Sequence, residues 1–278
     1  MQAYKSNIID TNGIKLHYIE YPRAQKPELL LLHGLSANAF AFNGLIEAGL
    51  NEHWHIYSVD FRGRGKSTKR AFAFSIKDHA KDIIELLDYL EIDSITLAGH
   101  SFGGLMSSYL AAKYPNRIKK VFILDAAPLM NPKAGQMLMP AISRVDKKFN
   151  SFEEFIDSIK HSEYMLQWDD AMLPYYKADV EVFEDGRVEC ISDLADLIQI
   201  STHVGMEPWT THFQAMQQKT HMIVALDSYT LGEPLLPTHL AKSAFRNMRN
   251  AEYHEVDGNH QTMLFGKGAK QIVKIINS

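Results

Sequence analysis

The sequence predicts an α/β protein with a mostly parallel sheet that is covered by helices on both faces. Short apolar runs alternate with stretches of helical periodicity over most of the chain, and this alternation is typical of parallel strands buried on both faces. The chain is also long enough to bury a sizeable core, with 278 residues of which 46% are hydrophobic. One long segment breaks the alternation and indicates an insertion.

The predicted elements follow in order along the chain. It begins with a hairpin, because apolar and polar residues alternate over 7–10 and 14–21 on both sides of the turn Thr11-Asn12-Gly13. Further strands are predicted at 28–32, 55–59, 94–98, 120–124, 221–226 and 251–256. Helices are predicted at 75–90, where Ser75 can cap the first turn, at 102–114, and near 268–276.

Residues 129–218 form the segment that breaks this pattern. It is rich in methionine and aromatic residues, and its one hairpin candidate turns at Asp185-Gly186. We expect a mainly helical cap over 129–218, inserted into a core formed by 1–128 and 219–278. Most apolar residues of such a cap hold it together, and a minority line a pocket.

Composition excludes several classes of partner. The formal charge is −4 with both signs mixed along the chain, so neither nucleic acid nor an anionic membrane is implied, and we expect a small-molecule partner. No apolar run reaches membrane-spanning length, and the start of the sequence lacks the pattern of a secretory signal. The single cysteine, Cys190, cannot form an intrachain disulfide, which agrees with a cytoplasmic location, and we interpret it as an ordinary small apolar residue. A monomer or homodimer is expected.

No motif indicates a cofactor or a metal. The stretch GRGKST at 63–68 is similar to a phosphate-binding loop, but Asp60 stands where that motif needs its first glycine. The histidines lack metal-ligand spacing. We therefore expect neither a cofactor nor a metal.

Ser101 lies between a predicted strand and a predicted helix, with Gly99 and Gly103 two positions away on each side. A serine hydroxyl is a poor nucleophile, so chemistry there requires exposure, a base and donors for the developing negative charge. The two glycines supply the exposure, because they remove side chains that would collide in so sharp a turn.

This G-x-S-x-G arrangement resembles the nucleophile elbow of the α/β-hydrolase superfamily. The resemblance covers nearly the whole chain, since the hairpin, LLLLHG, YSVDFRGRGKS, LAGHSFGG, FILDAAP and VDGNH occur in the family's order. It implies an eight-stranded sheet, a cap after the sixth strand and an oxyanion hole formed by the N–H groups of Phe102 and Leu35. It also implies that His33 orders its loop and that Asp60 and Arg62 make structural hydrogen bonds.

The family's chain order of nucleophile, acid and histidine leaves His239, His254 and His260 as candidates for the base. His254 lies within a predicted strand, and His239 lies in a predicted surface helix. His260 follows the last strand, at the same edge of the sheet as Ser101, and is the predicted base.

Two residues compete for the acid that orients this base. Glu233 stands in a frame, EPLLP, that resembles the family's usual acid after the seventh strand, and Asp227 lies nearby. Asp125 follows the sixth strand directly in DAAP, where some small esterases of the superfamily keep their acid. Both stay open, with a slight preference for Asp125, because a strand end positions a carboxylate better than a long loop.

The resemblance implies a serine hydrolase that cleaves small, largely apolar carboxylic esters through an acyl-enzyme. A C–C bond hydrolase, a lactonase or an amidase with the same triad is the first alternative. A hydrolase-like ligand receptor with slow turnover is the second. Epoxide hydrolases and haloalkane dehalogenases fit less well, because they carry aspartate at the position of Ser101.

Overall fold

A computed structural model describes residues 3–69 and 73–278. The strands in this part of the chain are β1 Lys5–Thr11, β2 Ile14–Tyr21, β3 Glu28–Leu32, β4 His55–Val59, β5 Ile95–His100, β6 Ile118–Leu124, β7 Lys148–Phe149, β8 Val180–Val182, β9 Val188–Cys190, β10 Lys219–Ala225 and β11 Ala251–Val256. The helices are α1 Asn43–Glu47, α2 Leu50–His53, α3 Ile76–Tyr89, α4 Phe102–Lys113, α5 Ala134–Ile142, α6 Phe152–Lys160, α7 Leu173–Lys177, α8 Leu194–Met206, α9 Trp209–Ala215, α10 Thr238–Arg246 and α11 Gly266–Ile276.

Eight strands form the main sheet, in the order β1-β2-β4-β3-β5-β6-β10-β11. The β1–β2 and β2–β4 pairs are antiparallel, and the other pairs are parallel. The N-terminal hairpin is confirmed, with Asn12 and Gly13 at φ 42° and 77° in its turn. Positive φ at both turn residues matches the right-handed twist of the paired strands. The predicted fold class is confirmed.

Both faces of the sheet are buried at its central strands, which are apolar at successive positions. In β3, Leu29 and Leu31 pack into the core cluster on one face, which also contains residues of α1 and α11. Leu30 and Leu32 pack into the cluster on the other face, with residues of α3 and α4. Ser75 caps α3 as predicted, accepting a hydrogen bond from the backbone N–H three residues on.

The segment between β6 and β10, called the inserted segment below, carries α5 to α9 and a second sheet with the order β7-β9-β8. The hairpin predicted around Asp185-Gly186 is present as β8 and β9. The short strand β7 was not predicted, because its two residues are too few to show a period. The assignment of 129–218 as a separate cap stays a prediction.

Within the described residues, every helix is too short or too polar to cross a lipid bilayer.

Candidate active site

Ser101 occupies a sharp turn between β5 and α4. Its φ and ψ are 55° and −119°, a backbone conformation that residues other than glycine rarely adopt. Its backbone N–H donates to the carbonyl of Leu124 in β6 over 2.9 Å, which anchors the turn at the carboxyl edge of the sheet. The side chain is held at this edge, at the N-terminus of α4.

The glycines around Ser101 allow close backbone contacts. A Cβ atom at Gly99 would collide with the carbonyl of Gly103, and one at Gly103 would collide with the carbonyl of Leu32. A Cβ atom at Gly104 would lie only 2.8 Å from the Cβ atom of Ala126. The sequence analysis did not single out Gly104. The helix can therefore approach the strands only where side chains are missing.

The N–H groups of Leu35 and Phe102 are the predicted donors of the oxyanion hole. Phe102 is the first residue of α4, so its N–H has no acceptor within the helix. In the part of the chain that the structure describes, neither N–H donates a hydrogen bond to another protein group. Leu35, Ser101 and Phe102 line one common cavity.

His260 is paired with Asp125. The His260 Nδ1 atom lies 2.7 Å from Asp125 Oδ2, and the two residues are only 5% and 1% exposed. A neutral imidazole that faces a carboxylate oxygen through Nδ1 carries its proton on Nδ1 and has its lone pair on Nε2. His260 and Ser101 line the same cavity, without a direct hydrogen bond between their side chains among the described residues.

Asp125 is held in place from two sides. Its backbone, at φ 50°, donates its N–H to the carbonyl of Ile223 over 2.7 Å. Its Oδ1 accepts the N–H of Ala225 over 3.0 Å. Since one carboxylate oxygen is bound to β10, the other is directed to the histidine.

Glu233, the other acid candidate, lies elsewhere. Its carboxylate bonds Lys133 Nζ at 2.6 Å and Asn131 Nδ2 at 2.9 Å, and its side chain is 40% exposed. The hydrogen bond from Asn131, followed by that from Lys133, lowers the pKa of Glu233. The structure brings Asp125 to His260 and uses Glu233 to tie its loop to the start of the inserted segment.

Asp227 has a different partner, since its Oδ2 accepts the N–H of Gly258 over 3.0 Å. The other histidine candidates lie on other elements and have other surroundings. His239 is exposed on α10, and His254 in β11 lies 3.0 Å from His221 Nδ1.

The residues expected to be structural make the expected contacts. His33 is buried, with Nδ1 2.7 Å from the carbonyl of Gly34 and Nε2 accepting the N–H of Phe61 at 3.1 Å. Burial lowers the pKa of His33 to about 4, so it is neutral. Asp60 accepts the N–H groups of Ala39 and Lys66, and Arg62 forms two hydrogen bonds with Asp82.

Two residues that the sequence analysis missed support the predicted base, His260. His100 Nε2 donates to the carbonyl of His260 over 2.8 Å, and burial, followed by the neighbouring His260, holds the pKa of His100 well below its ordinary value. Asn259 is fully buried; its Nδ2 donates to the carbonyls of Tyr164 at 2.8 Å and Ser228 at 3.2 Å. The only sequence signal for Asn259 was its position as a polar residue directly before the predicted base.

A second serine, Ser6, has a similar set of partners without the strained turn. Its Oγ lies 2.8 Å from His17 Nε2, and His17 Nδ1 lies 2.6 Å from Asp60 Oδ2. Ser6 belongs to the regular strand β1, and Asp60 also binds two backbone N–H groups of neighbouring loops. We assign this chain of hydrogen bonds to the structure of the hairpin.

Cys190 is partly buried, and burial raises the pKa of its thiol to about 12.

Among the described residues, His221, Glu252 and His254 form one group whose ligand atoms lie within 4.8 Å of one another and could hold a metal. The group lies near the amino ends of β10 and β11, opposite the edge that carries Ser101. Lys219 bonds its carboxylate at 2.8 Å.

Two cavities meet at Ser101. One, of about 60 Å³, is lined by His260, Arg144 and several tyrosines. The other, of about 300 Å³, is lined almost entirely by apolar side chains. Both are bounded by residues of the inserted segment, including Leu138 and Ile142.

Comparison with known proteins agrees with this architecture. The model of the alpha/beta hydrolase fold family matches residues 27–178. The chain belongs to the α/β-hydrolase family. This match covers β3 to β6 and the first part of the inserted segment.

Several characterised members of the α/β-hydrolase family are similar in sequence. A 2-(acetamidomethylene)succinate hydrolase of Mesorhizobium japonicum is 29% identical over 161 residues, which are 58% of this chain and 54% of that protein. A soluble epoxide hydrolase of a Corynebacterium species is 32% identical over 121 residues, 42% of this chain and 40% of that protein. The chain thus matches about half the length of these relatives or less.

Solved α/β-hydrolase structures match along nearly the whole chain. An E-2-(acetamidomethylene)succinate hydrolase superposes with a TM-score of 0.85 at 21% identity, covering 99% of this chain and 98% of that one. An enol-lactonase from Burkholderia xenovorans superposes with a TM-score of 0.75 at 18% identity, covering 97% and 98%. At these identities the likeness establishes the shared fold.

Proposed function

We propose that this protein is a serine hydrolase that cleaves small carboxylic esters through an acyl-enzyme. The pairing of His260 with Asp125 over 2.7 Å, at a cavity that Ser101 also lines, is the observation that carries the proposal. In this arrangement Ser101 is the nucleophile, His260 the base and Asp125 the acid that fixes the tautomer of the base.

The mechanism follows from these positions. The Ser101 hydroxyl attacks the ester carbonyl while His260 Nε2 takes its proton, and the N–H groups of Leu35 and Phe102 bind the resulting oxyanion. His260 then gives the proton to the departing alcohol, which leaves an acyl-serine. Water, deprotonated by the same Nε2 atom, attacks the acyl group and releases the acid and the free serine.

Turnover of p-nitrophenyl acetate and butyrate tests this proposal, with Ser101→Ala as the inactive variant and Ser6→Ala as the matched control. We expect Ser101→Ala to abolish turnover and labelling by a fluorophosphonate probe, and Ser6→Ala to keep both. Retained turnover in Ser101→Ala would contradict the proposal. A single burst of p-nitrophenol without steady turnover would favour the alternative of a ligand receptor.

An amide bond is the second candidate for the scissile bond. It is supported by the similarity, in both sequence and fold, to hydrolases named for an acetamidomethylene succinate. Comparing acetate release from matched N-acetyl and O-acetyl compounds decides between the two, since an esterase releases acetate from the O-acetyl compound alone.

A further inference from the structure

Ser101 lines two cavities, and the smaller one carries more polar groups than the larger one. The smaller cavity is lined by polar groups that include Arg144, Tyr164, Tyr175, Tyr229 and His260. The larger one is lined mainly by apolar side chains, among them Phe102, Leu105, Ala126, Met130 and Val204. A substrate that reacts at Ser101 and fills both cavities therefore has one polar end and one apolar end.

Arg144 supplies the permanent charge of the smaller cavity. It is 5% exposed and is the only Lys, Arg, Asp or Glu side chain among the lining residues that the structure describes. Its Nη2 bonds Asp179 at 2.5 Å and its Nη1 bonds the carbonyl of Ala141 at 2.6 Å. Burial alone would lower the pKa of Arg144, but Asp179 and the surrounding tyrosines outweigh burial and raise it well above its ordinary value. The guanidinium is therefore charged.

Among the residues that the structure describes, two buried donors of residues lining this cavity have no hydrogen-bond partner. They are the Nε–H group of Arg144 and the hydroxyl of Tyr164, a residue that is 1% exposed. Buried polar groups are almost always hydrogen-bonded, and an unpaired donor destabilises the fold. A carboxylate accepts through both oxygens and complements a guanidinium and a hydroxyl together.

The position of His260 decides which end of the substrate enters the polar cavity. The base must pass its proton to the departing atom, so the leaving group lies on the side of the imidazole. His260 lines the polar cavity and is absent from the lining of the apolar one. The leaving group thus faces Arg144, and the acyl group faces the apolar cavity.

We propose that the substrate has an apolar acyl group and a leaving group that bears a carboxylate, which Arg144 and Tyr164 hold. This proposal rests on the proposed function, because it assumes that Ser101 forms the acyl-enzyme. It assigns Arg144 a role in specificity that is separate from the chemistry at Ser101.

Two butyrate esters that differ only in charge test this assignment. O-butyrylglycolate has a carboxylate in its leaving group, and 2-(butyryloxy)acetamide has a neutral amide in its place; acid release in a pH-stat follows both. We expect wild type to have the higher kcat/KM for the glycolate. Arg144→Gln should lower the ratio of the two kcat/KM values about ten- to a hundredfold, the range for a hydrogen bond to a charged group. Tyr164→Phe should lower the same ratio by a smaller factor.

The controls separate charge recognition from folding. Arg187→Gln removes an arginine whose side chain is 51% exposed and should leave the ratio unchanged. Since Arg144→Gln leaves the buried Asp179 without its partner, the double variant Arg144→Gln/Asp179→Asn is measured beside it, with thermal melting of each. Methyl hydrogen succinate carries the carboxylate on the acyl side, and we expect it to be the poorer substrate.

An equal loss of kcat/KM for both esters in well-folded Arg144 variants would overturn the proposal. A higher wild-type kcat/KM for the neutral ester or for the succinate would overturn it too. These results leave the proposed function standing if Ser101→Ala is inactive on the neutral ester. Failure of the proposed function has a different signature, since Ser101→Ala would then retain hydrolysis of that ester.

Discussion

Replacing Asp125 by asparagine changes the group that faces the proposed base while keeping its size. The Oδ1 atom of Asp125 accepts the N–H of Ala225 over 3.0 Å, so the amide oxygen of the introduced asparagine keeps this bond and its NH₂ group takes the place of Oδ2. That NH₂ group then lies where a carboxylate oxygen stood, 2.7 Å from His260 Nδ1. Because it donates, Nδ1 must accept, and the proton moves to Nε2.

With its proton on Nε2, His260 no longer accepts the hydroxyl proton of Ser101. We expect Asp125→Asn to lower kcat for p-nitrophenyl butyrate about 10⁴-fold, the loss known for the same exchange in the serine protease triad. The melting temperature should change little, since the side chain keeps its volume and its bond to Ala225. Glu233→Gln is the control, and its kcat should stay near that of wild type.

The assay is steady-state hydrolysis at neutral pH, with circular dichroism to show that each variant is folded. The assignment of Asp125 would be refuted if Asp125→Asn kept more than a tenth of the wild-type kcat. Collapse of activity in Glu233→Gln would refute it too, and would restore the alternative that the sequence left open.

Three further predictions concern stability. Gly103→Ala should prevent stable folding, because its Cβ would collide with a backbone carbonyl, whereas Gly205→Ala, in open space within α8, should stabilise by about 0.5–1 kcal/mol in urea unfolding. Asn259→Ala should cost about 1–3 kcal/mol for each buried group left unpaired and should also lower kcat; Asn247→Ala, on an exposed helix end, should do neither. The pKa of His33 is about 4 in the fold and 6.5 in the unfolded chain, so the unfolded state binds more protons between these pH values. The free energy of unfolding should therefore fall as the pH drops from 6.5 to about 4. In His33→Gln the slope of the unfolding free energy against pH should be smaller.

Local patterns predicted the elements that are long and regular. The Asn12-Gly13 turn, the apolar run of β3 and the capped helix α3 each carry their own signal within a few residues. The placement of Ser101 and His260 could also be predicted, because each follows a strand whose carboxyl end lies at the same edge of the sheet.

The choice between Asp125 and Glu233 depends on contacts between distant parts of the chain. Asp125 is directed to His260 by hydrogen bonds to residues of β10, about a hundred positions later. Arg144 was missed for a similar reason. It lies in a short 3-10 helix, and its partner Asp179 is 35 positions away, so neither residue shows a period or a motif.

Asn259 links the proposed base to the inserted segment, because it joins the loop of His260 to the carbonyl of Tyr164. Exchanging 129–218 for the corresponding segment of another hydrolase would remove that acceptor along with the cavity walls. Chimeras made to alter substrate preference would therefore lose turnover as well, unless the donor sequence presents a carbonyl at the same point. Selectivity at this site is therefore better altered by single exchanges in the cavity than by segment replacement.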